Sequence, residues 1–395
     1  MVRYHQPKQN DTIMDKLFFE LIKVSIGACG CLSKTPTADE WHALYDMAKK
    51  QSLVGVCFAG VQRLGFALYE NTSTGSAQAE NENHSNHSNT SNLSKLQYLT
   101  WMGMAAKIQQ RNEVVNRQCI ELQERLMGMG YRSCIIKGQS NHPAYSSLAM
   151  LRQSGDIDIW IEGGRERVVE LVYKICPTKK IHETHAELDV FEDTEVEAHY
   201  RPGLIRDFCR NSRLQKFFQE NAEECFTNRV KISAGEIVAG TPRFNAVQQL
   251  LHVYHHLFDS GIGLRQVLDY YFVLTHLPSE EKDGVMKVLR EVRVARFTAA
   301  LMYVLQTVFG LEDQYLLCPP SEKDGEYLLN EMLEGGNFGF HRSGKKKHKG
   351  HSYLRSFFGK YFKNFRHRRF APMEWLMSPL WRVYYFGWRK MNGYY

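Results

Sequence analysis

The chain has 395 residues, room for two or three domains of ordinary size. A composition 43% hydrophobic and 24% charged suits a folded globular protein, and no apolar run reaches the ~18 residues that a membrane span needs. The formal charge of +7 is lopsided: residues 341–395 hold fourteen Lys and Arg against Glu374 alone, which leaves about −6 for all that precedes them and argues against a uniformly basic nucleic-acid binder.

The opening MVRYHQPKQNDT lacks an apolar stretch like that of a signal peptide, so the expected compartment is the cytoplasm. Nine cysteines without a CxxC suggest reduced thiols rather than zinc or a disulfide framework.

The first 70 residues read as helices. Leu17, Leu21, Val24 and Ile26 form an apolar stripe, and Thr37 with Glu40 three residues on forms a capping box for a second helix. A third apolar stretch covers 53–68. Residues 71–95 are Asn- and Ser-rich and cannot bury enough surface to offset their ordering entropy, so a disordered insert is expected there. A long helical pattern spans 96–129.

The period then changes. Residues 133–136 form a short apolar strand closed by Gly138, and 143–151 include a helical turn. Residues 156–162, DIDIWIE, alternate as a half-buried strand. Helical spacing returns over 165–175, and 186–191 with 195–200 read as a hairpin around Glu192-Asp193-Thr194. Helices resume over 244–311. The organisation expected is a helical region over 1–130, a mixed core over 131–205, a helical domain over 206–335 and a basic aromatic segment over 336–395.

The chemistry concentrates in the mixed core. Along a strand, residues i and i+2 share a face, so Asp156 and Asp158 project together. Their repulsion is relieved by a hard divalent cation such as Mg²⁺, which takes carboxylate and phosphate oxygens. An isolated Asp-x-Asp also arises on the wet face of any amphipathic strand, so context matters. Upstream, Lys137-Gly138-Gln139-Ser140 is a strand end with a glycine turn, where backbone N–H groups can approach a phosphate. Downstream, Glu197 on a later strand can complete a carboxylate triad, with Asp189 as a competitor.

These residues, in this order, resemble the DNA polymerase β-type nucleotidyltransferase superfamily. More narrowly, IIKGQSNHPAYSSLAMLRQSGDIDIWIEGG is similar to a bacterial family of uncharacterised nucleotidyltransferases, through Lys137, Gly138, Arg152, Asp156 and Asp158. VEAHYRP matches that family's acid-x-His strand through Glu197 and His199. GIGLRQVLDYYFVL matches its Leu-Arg…Asp helix through Arg265 and Asp269. The turn departs from the superfamily's usual Gly-Ser or Gly-Gly.

The resemblance implies an α+β fold, a small mixed-sheet nucleotidyltransferase core embedded in a mainly helical protein. It implies two Mg²⁺ ions on Asp156, Asp158 and Glu197, and transfer of a nucleoside monophosphate from an NTP to an acceptor hydroxyl. Lys137, Gly138, Ser140 and Arg152 would face the phosphates. Arg152 could instead pin the Asp156 loop by a bidentate pair. Arg265 and Asp269, four apart on a helix, are expected to pair with each other. His199 either orients Glu197, contacts substrate or is a hydrogen-bonded structural histidine. His252, His255 and His256 share one helical stretch near Asp259 but lack the HExxH zinc spacing.

The segment GKKKHKGHSYLRSFFGKYFKNFRHRRF interleaves cations with aromatics. That suits RNA, a phosphorylated carrier or an anionic membrane surface, or a helix that packs on the domain. The competing function is a catalytically inactive nucleotide-, RNA- or membrane-binding module. A kinase is disfavoured, because P-loop, HRD and DFG signatures are absent.

Overall fold

A computed structural model describes residues 9–65, 92–176, 180–259, 261–337, 361, 364–370 and 372–394. The expected insert at 71–95, but for its last four residues, lies outside them, as does most of the basic stretch at 344–370.

Three helices open the chain: α1 (Gln9–Ile26), α2 (Ala38–Lys50) and α3 (Val54–Arg63). The α1 stripe buries Leu17, Leu21 and Val24, and Ile26 is half-buried. Thr37 and Glu40 cap α2 reciprocally, as the sequence predicts. Helix α3 lies close on α1 at Gly60, where a Cβ would come 2.3 Å from Ser25 Oγ and 2.9 Å from the Leu21 carbonyl.

The long α4 (Lys95–Gly128) joins two hydrophobic cores. Its first half gives Tyr98, Trp101, Ala105 and Ile108 to the larger, helical core. Its second half gives Val115, Cys119, Leu122 and Leu126 to a smaller core under the sheet. One apolar stripe at three-and-four spacing serves both.

The sheet contains β1 (Ser133–Ile135), β2 (Ile157–Ile161), β3 (His185–Glu187) and β4 (Val196–His199), in the order β1-β2-β4-β3. The β2–β4 pair is parallel and the outer pairs antiparallel, so the sheet is mixed. Between β1 and β2 run short helical turns, among them α5 (His142–Tyr145). Helix α6 (Gly164–Ile175) covers the small core with Val168, Leu171 and Val172. The predicted 186–191 strand is shorter, and its ladder begins one residue earlier. Past Leu188, whose N–H still donates to the Val196 carbonyl, no further residue among those described joins that ladder, and Gln118 of α4 holds Asp193 and Thr194 through side-chain hydrogen bonds.

Helices α7 (Phe208–Glu220) and α8 (Ala222–Thr227) lead into a hairpin of β5 (Arg229–Ile232) and β6 (Gly235–Val238). That hairpin lies within the 206–335 stretch assigned to a helical domain, ahead of the helical pattern that resumes at 244. Its strands have four residues each and only Ile237 is buried, which leaves too little pattern for sequence reading. Then come α9 (Pro242–Asp259), α10 (Leu264–Thr275), α11 (Lys282–Glu291), α12 (Ala295–Val304), α13 (Glu322–Gly335) and α14 (Pro372–Met391).

The fold is thus mostly helical with a small mixed sheet. Helix α14 docks on the body: Trp388 enters the small core, and Glu374 accepts hydrogen bonds from the Arg206 backbone N–H. Among the described residues no disulfide forms, and no helix is long and apolar enough to cross a membrane.

Candidate active site

The two faces of the sheet differ. Ile157, Ile159 and Ile161 of β2, with Val196 and Ala198 of β4, point into the small core. The alternate residues Asp158, Glu197 and His199 therefore point the other way, toward α9 and α10. The parallel register sets Asp158 directly opposite Glu197. Asp156, one residue before β2, completes the group: carboxylate oxygens of Asp156, Asp158 and Glu197 lie within 4.8 Å of one another. Asp189 is exposed and outside this group.

Lys137 follows β1 at φ +56° and Gly138 at φ +42°. A positive φ at a non-glycine residue costs roughly 1–3 kcal/mol and persists only where the surroundings enforce it. Here the turn delivers the Lys137 Nζ to within 2.5 Å of Asp158 Oδ1. A Cβ on Gly138 would meet open space, so the backbone there is accessible from the cleft.

His199 Nε2 lies 2.9 Å from Asp158 Oδ1 and 3.1 Å from Glu197 Oε2. Its Nδ1 lies 3.3 Å from the Arg201 carbonyl oxygen. Ionised carboxylates and carbonyls only accept, so with no ion between these groups the ring serves as a doubly protonated donor. Across the β3–β4 ladder, His185 is paired with His199, and its Nε2 is 3.5 Å from Glu197 Oε1.

The charges are strongly coupled. Repulsion from Asp158, then burial, pushes the Asp156 carboxyl up to about 6. Burial opposes charge on Glu197, but the His199 hydrogen bond and the nearby Lys137 bring it down to about 2. Burial also opposes charge on Lys137, yet Asp158, Glu197 and Asp156 hold it above the usual lysine value. His199 is likewise held above its usual value by hydrogen bonds to Asp158 and Glu197, against its burial. His185 is pushed down to about 2 by burial and by His199.

These residues line an open cleft of about 370 Å³. The opposite wall comes from α9 and α10: Gln249, His252, His255, His256, Asp259, Arg265 and Asp269. His252 and His256 face each other with Nε2 atoms 3.1 Å apart, and burial holds both below the usual imidazole value. His255 goes the other way: Asp259, 2.7 Å away, outweighs its burial.

Asp269 is where the polar contacts converge. Arg152 makes a bidentate pair with it, at 2.6 and 2.7 Å, which ties the segment before Asp156 to α10. The Asp269 carboxylate takes that pair together with the Tyr145 hydroxyl, while Arg265 Nη1 donates to the Gln153 carbonyl. The i, i+4 spacing predicts Arg265 as the partner of Asp269, and its charge does favour the ionised carboxylate; tertiary packing adds Arg152 at the same group. Lys137, Gly138 and Arg152 line the cleft. Ser140 is buried and not among the lining residues, and its Oγ has no hydrogen-bond partner among the described residues.

Sequence reading missed His185. The expected strand began after it, and only the ladder register places it beside Glu197. The one available signal was the pairing of 186–191 with 195–200, which in the right register sets His185 across from His199.

Residues 37–310 match the family described as uncharacterised nucleotidyltransferase, a span that includes every residue lining the cleft. No curated protein matches the chain, and no solved structure does.

Proposed function

We propose, for a chain that belongs to the uncharacterised nucleotidyltransferase family, a Mg²⁺-dependent reaction that moves a nucleoside monophosphate from an NTP to an acceptor hydroxyl. The observation that carries this reading is the convergence of Asp156, Asp158 and Glu197 on one cleft wall.

The donor set fits the ion. Three carboxylates this close repel, as the raised Asp156 records, and Lys137 and His199 offset only part of the charge. All-oxygen ligands suit Mg²⁺. Asp156, Asp158 and Glu197 would hold it, with two ions expected. When bound, Mg²⁺ supplies charge neutralisation at the triphosphate and a lowered pKa for an acceptor hydroxyl.

The protein's own groups bind and orient. Lys137 neutralises phosphate charge from within the cleft. The backbone at Gly138 approaches the phosphates without side-chain obstruction, and the Ser140 N–H holds that turn by donating to the Lys137 carbonyl. Arg152 fixes the cleft floor through Asp269 and adds positive potential with Arg265. Such catalysis is positioning and electrostatics rather than covalent chemistry. Composition supports a role for the basic aromatic segment at 344–370 on the acceptor side, with RNA, a phosphorylated carrier or an anionic membrane surface as the matching chemistries.

Binding of each of four labelled NTPs, with and without Mg²⁺, tests this reading beside the Asp156→Ala/Asp158→Ala variant. The expected result is Mg²⁺-dependent binding of at least one NTP that the variant loses. Absence of binding by the native protein would overturn the reading in favour of an inactive module.

A further inference from the structure

Glu197 belongs to two donor groups. One is the all-oxygen set with Asp156 and Asp158; the other is His185, Glu197 and His199, whose ligand atoms also fall within 4.8 Å of one another. We propose that this second set is a binding site for a divalent first-row transition-metal ion, so that Glu197 bridges a hard oxygen site and a nitrogen-containing site. The inference rests on the reading of Glu197 as a metal ligand.

The spacing supports it. Ligands about 2.1 Å from one ion stand roughly 3.0 Å apart in octahedral and 3.4 Å apart in tetrahedral geometry. The two nitrogen–oxygen separations, His199 Nε2 to Glu197 Oε2 and His185 Nε2 to Glu197 Oε1, are 3.1 and 3.5 Å. The two carboxylate oxygens of Glu197 are thus each presented to a different imidazole.

The second layer of contacts supports it too. A ligating imidazole usually engages its other ring nitrogen with a hydrogen-bond partner that fixes its orientation. His199 Nδ1 faces the Arg201 carbonyl at 3.3 Å, and His185 Nδ1 faces the Thr184 hydroxyl at 3.1 Å. Both rings therefore turn Nε2 toward Glu197, and at His199 the ion would take the place of the Nε2 proton, which is released on binding. The antiparallel register, which pairs His185 with His199, makes this a property of the sheet rather than of a loop.

The donors set the class of ion. Mg²⁺ demands oxygen and gives up its water reluctantly, whereas imidazole nitrogen with one carboxylate suits first-row transition ions. Asp156 and Asp158 would still present oxygen alone. The two sites would discriminate ions by chemistry although they share a ligand.

Pulsed electron paramagnetic resonance on the full chain loaded with Mn²⁺ in excess Mg²⁺ tests the proposal. The expected result is bound Mn²⁺ with ¹⁴N coupling. His185→Ala should diminish the coupling and weaken Mn²⁺ binding by about 10–100-fold, while Mg²⁺ binding at the carboxylates is unchanged. His185→Gln, which keeps side-chain bulk without the imidazole, should behave alike, and circular dichroism checks that both variants are folded. Bound Mn²⁺ without ¹⁴N coupling would overturn the nitrogen site and leave the carboxylate site standing. Failure to bind either ion would overturn both.

Discussion

Asp156 shows how a binding group can work against the fold that carries it. Repulsion from Asp158 raises its folded pKa to about 6, above that of an unfolded chain. For a carboxyl shifted upward, ionisation costs the folded state more than the unfolded one. The penalty is absent at low pH, develops above the unfolded value near 4, and is complete above the folded value. Asp156→Asn should therefore raise the thermal midpoint of the metal-free protein at neutral pH, with the gain fading as pH falls below 6. The same variant should bind Mg²⁺ more weakly. Calorimetric melts at pH 5 and pH 8 check it, and a lower midpoint in the variant at pH 8 would refute the repulsion argument.

Helix α10 is joined to the turns before β2 by a buried group: Arg152, 4% exposed, Asp269, 6%, and Tyr145, 2%. Both Asp269 oxygens receive Arg152 nitrogens, and the Tyr145 hydroxyl donates to one of them. Removing one partner of such a pair leaves a buried charge uncompensated, at a cost of about 3–5 kcal/mol. Asp269→Asn should lose that much stability at pH 7 in urea titrations. Burial opposes charge on Asp269, but Arg152 holds its pKa below the usual carboxylate value. A lowered carboxylate stabilises fully above the unfolded pKa near 4, and the contribution is lost as pH falls through the folded value. The native protein should consequently lose more stability than the variant between pH 5 and pH 2. Equal slopes would mean that Asp269 carries no net charge contribution.

At the scale of the molecule, two cores meet along α4 and the sheet, and α14 closes the smaller one. Trp388 is buried there with the Arg165 guanidinium 4.5 Å over its ring. Glu374 and Asp259 both engage Arg206, which connects α14 to the end of α9 beside the cleft. Truncating a buried tryptophan to alanine costs about 3–5 kcal/mol. Trp388→Ala should accordingly lower the unfolding free energy by that amount, read by the same urea titration. A change under about 0.5 kcal/mol, the size typical of surface positions, would show that α14 is only loosely attached.

The sequence by itself determined the elements whose signal is local. DIDIWIE alternates, so Asp158 had to share a face opposite Ile157 and Ile159. Thr37 and Glu40 are three residues apart, so their cap was legible, and the stripe of α1 and the length of α4 followed from periodicity. Order along the chain sufficed to associate Asp156 and Asp158 with Glu197, but it did not supply the register that sets Glu197 across from Asp158. Nor did it reveal His185 beside Glu197, the short β5–β6 hairpin, or Arg152 meeting Asp269 across 117 residues. Periodicity records which face a side chain leaves by, because that is set by backbone geometry within a few residues. Which partner it meets is set by packing between distant segments, and local spacing carries no record of that.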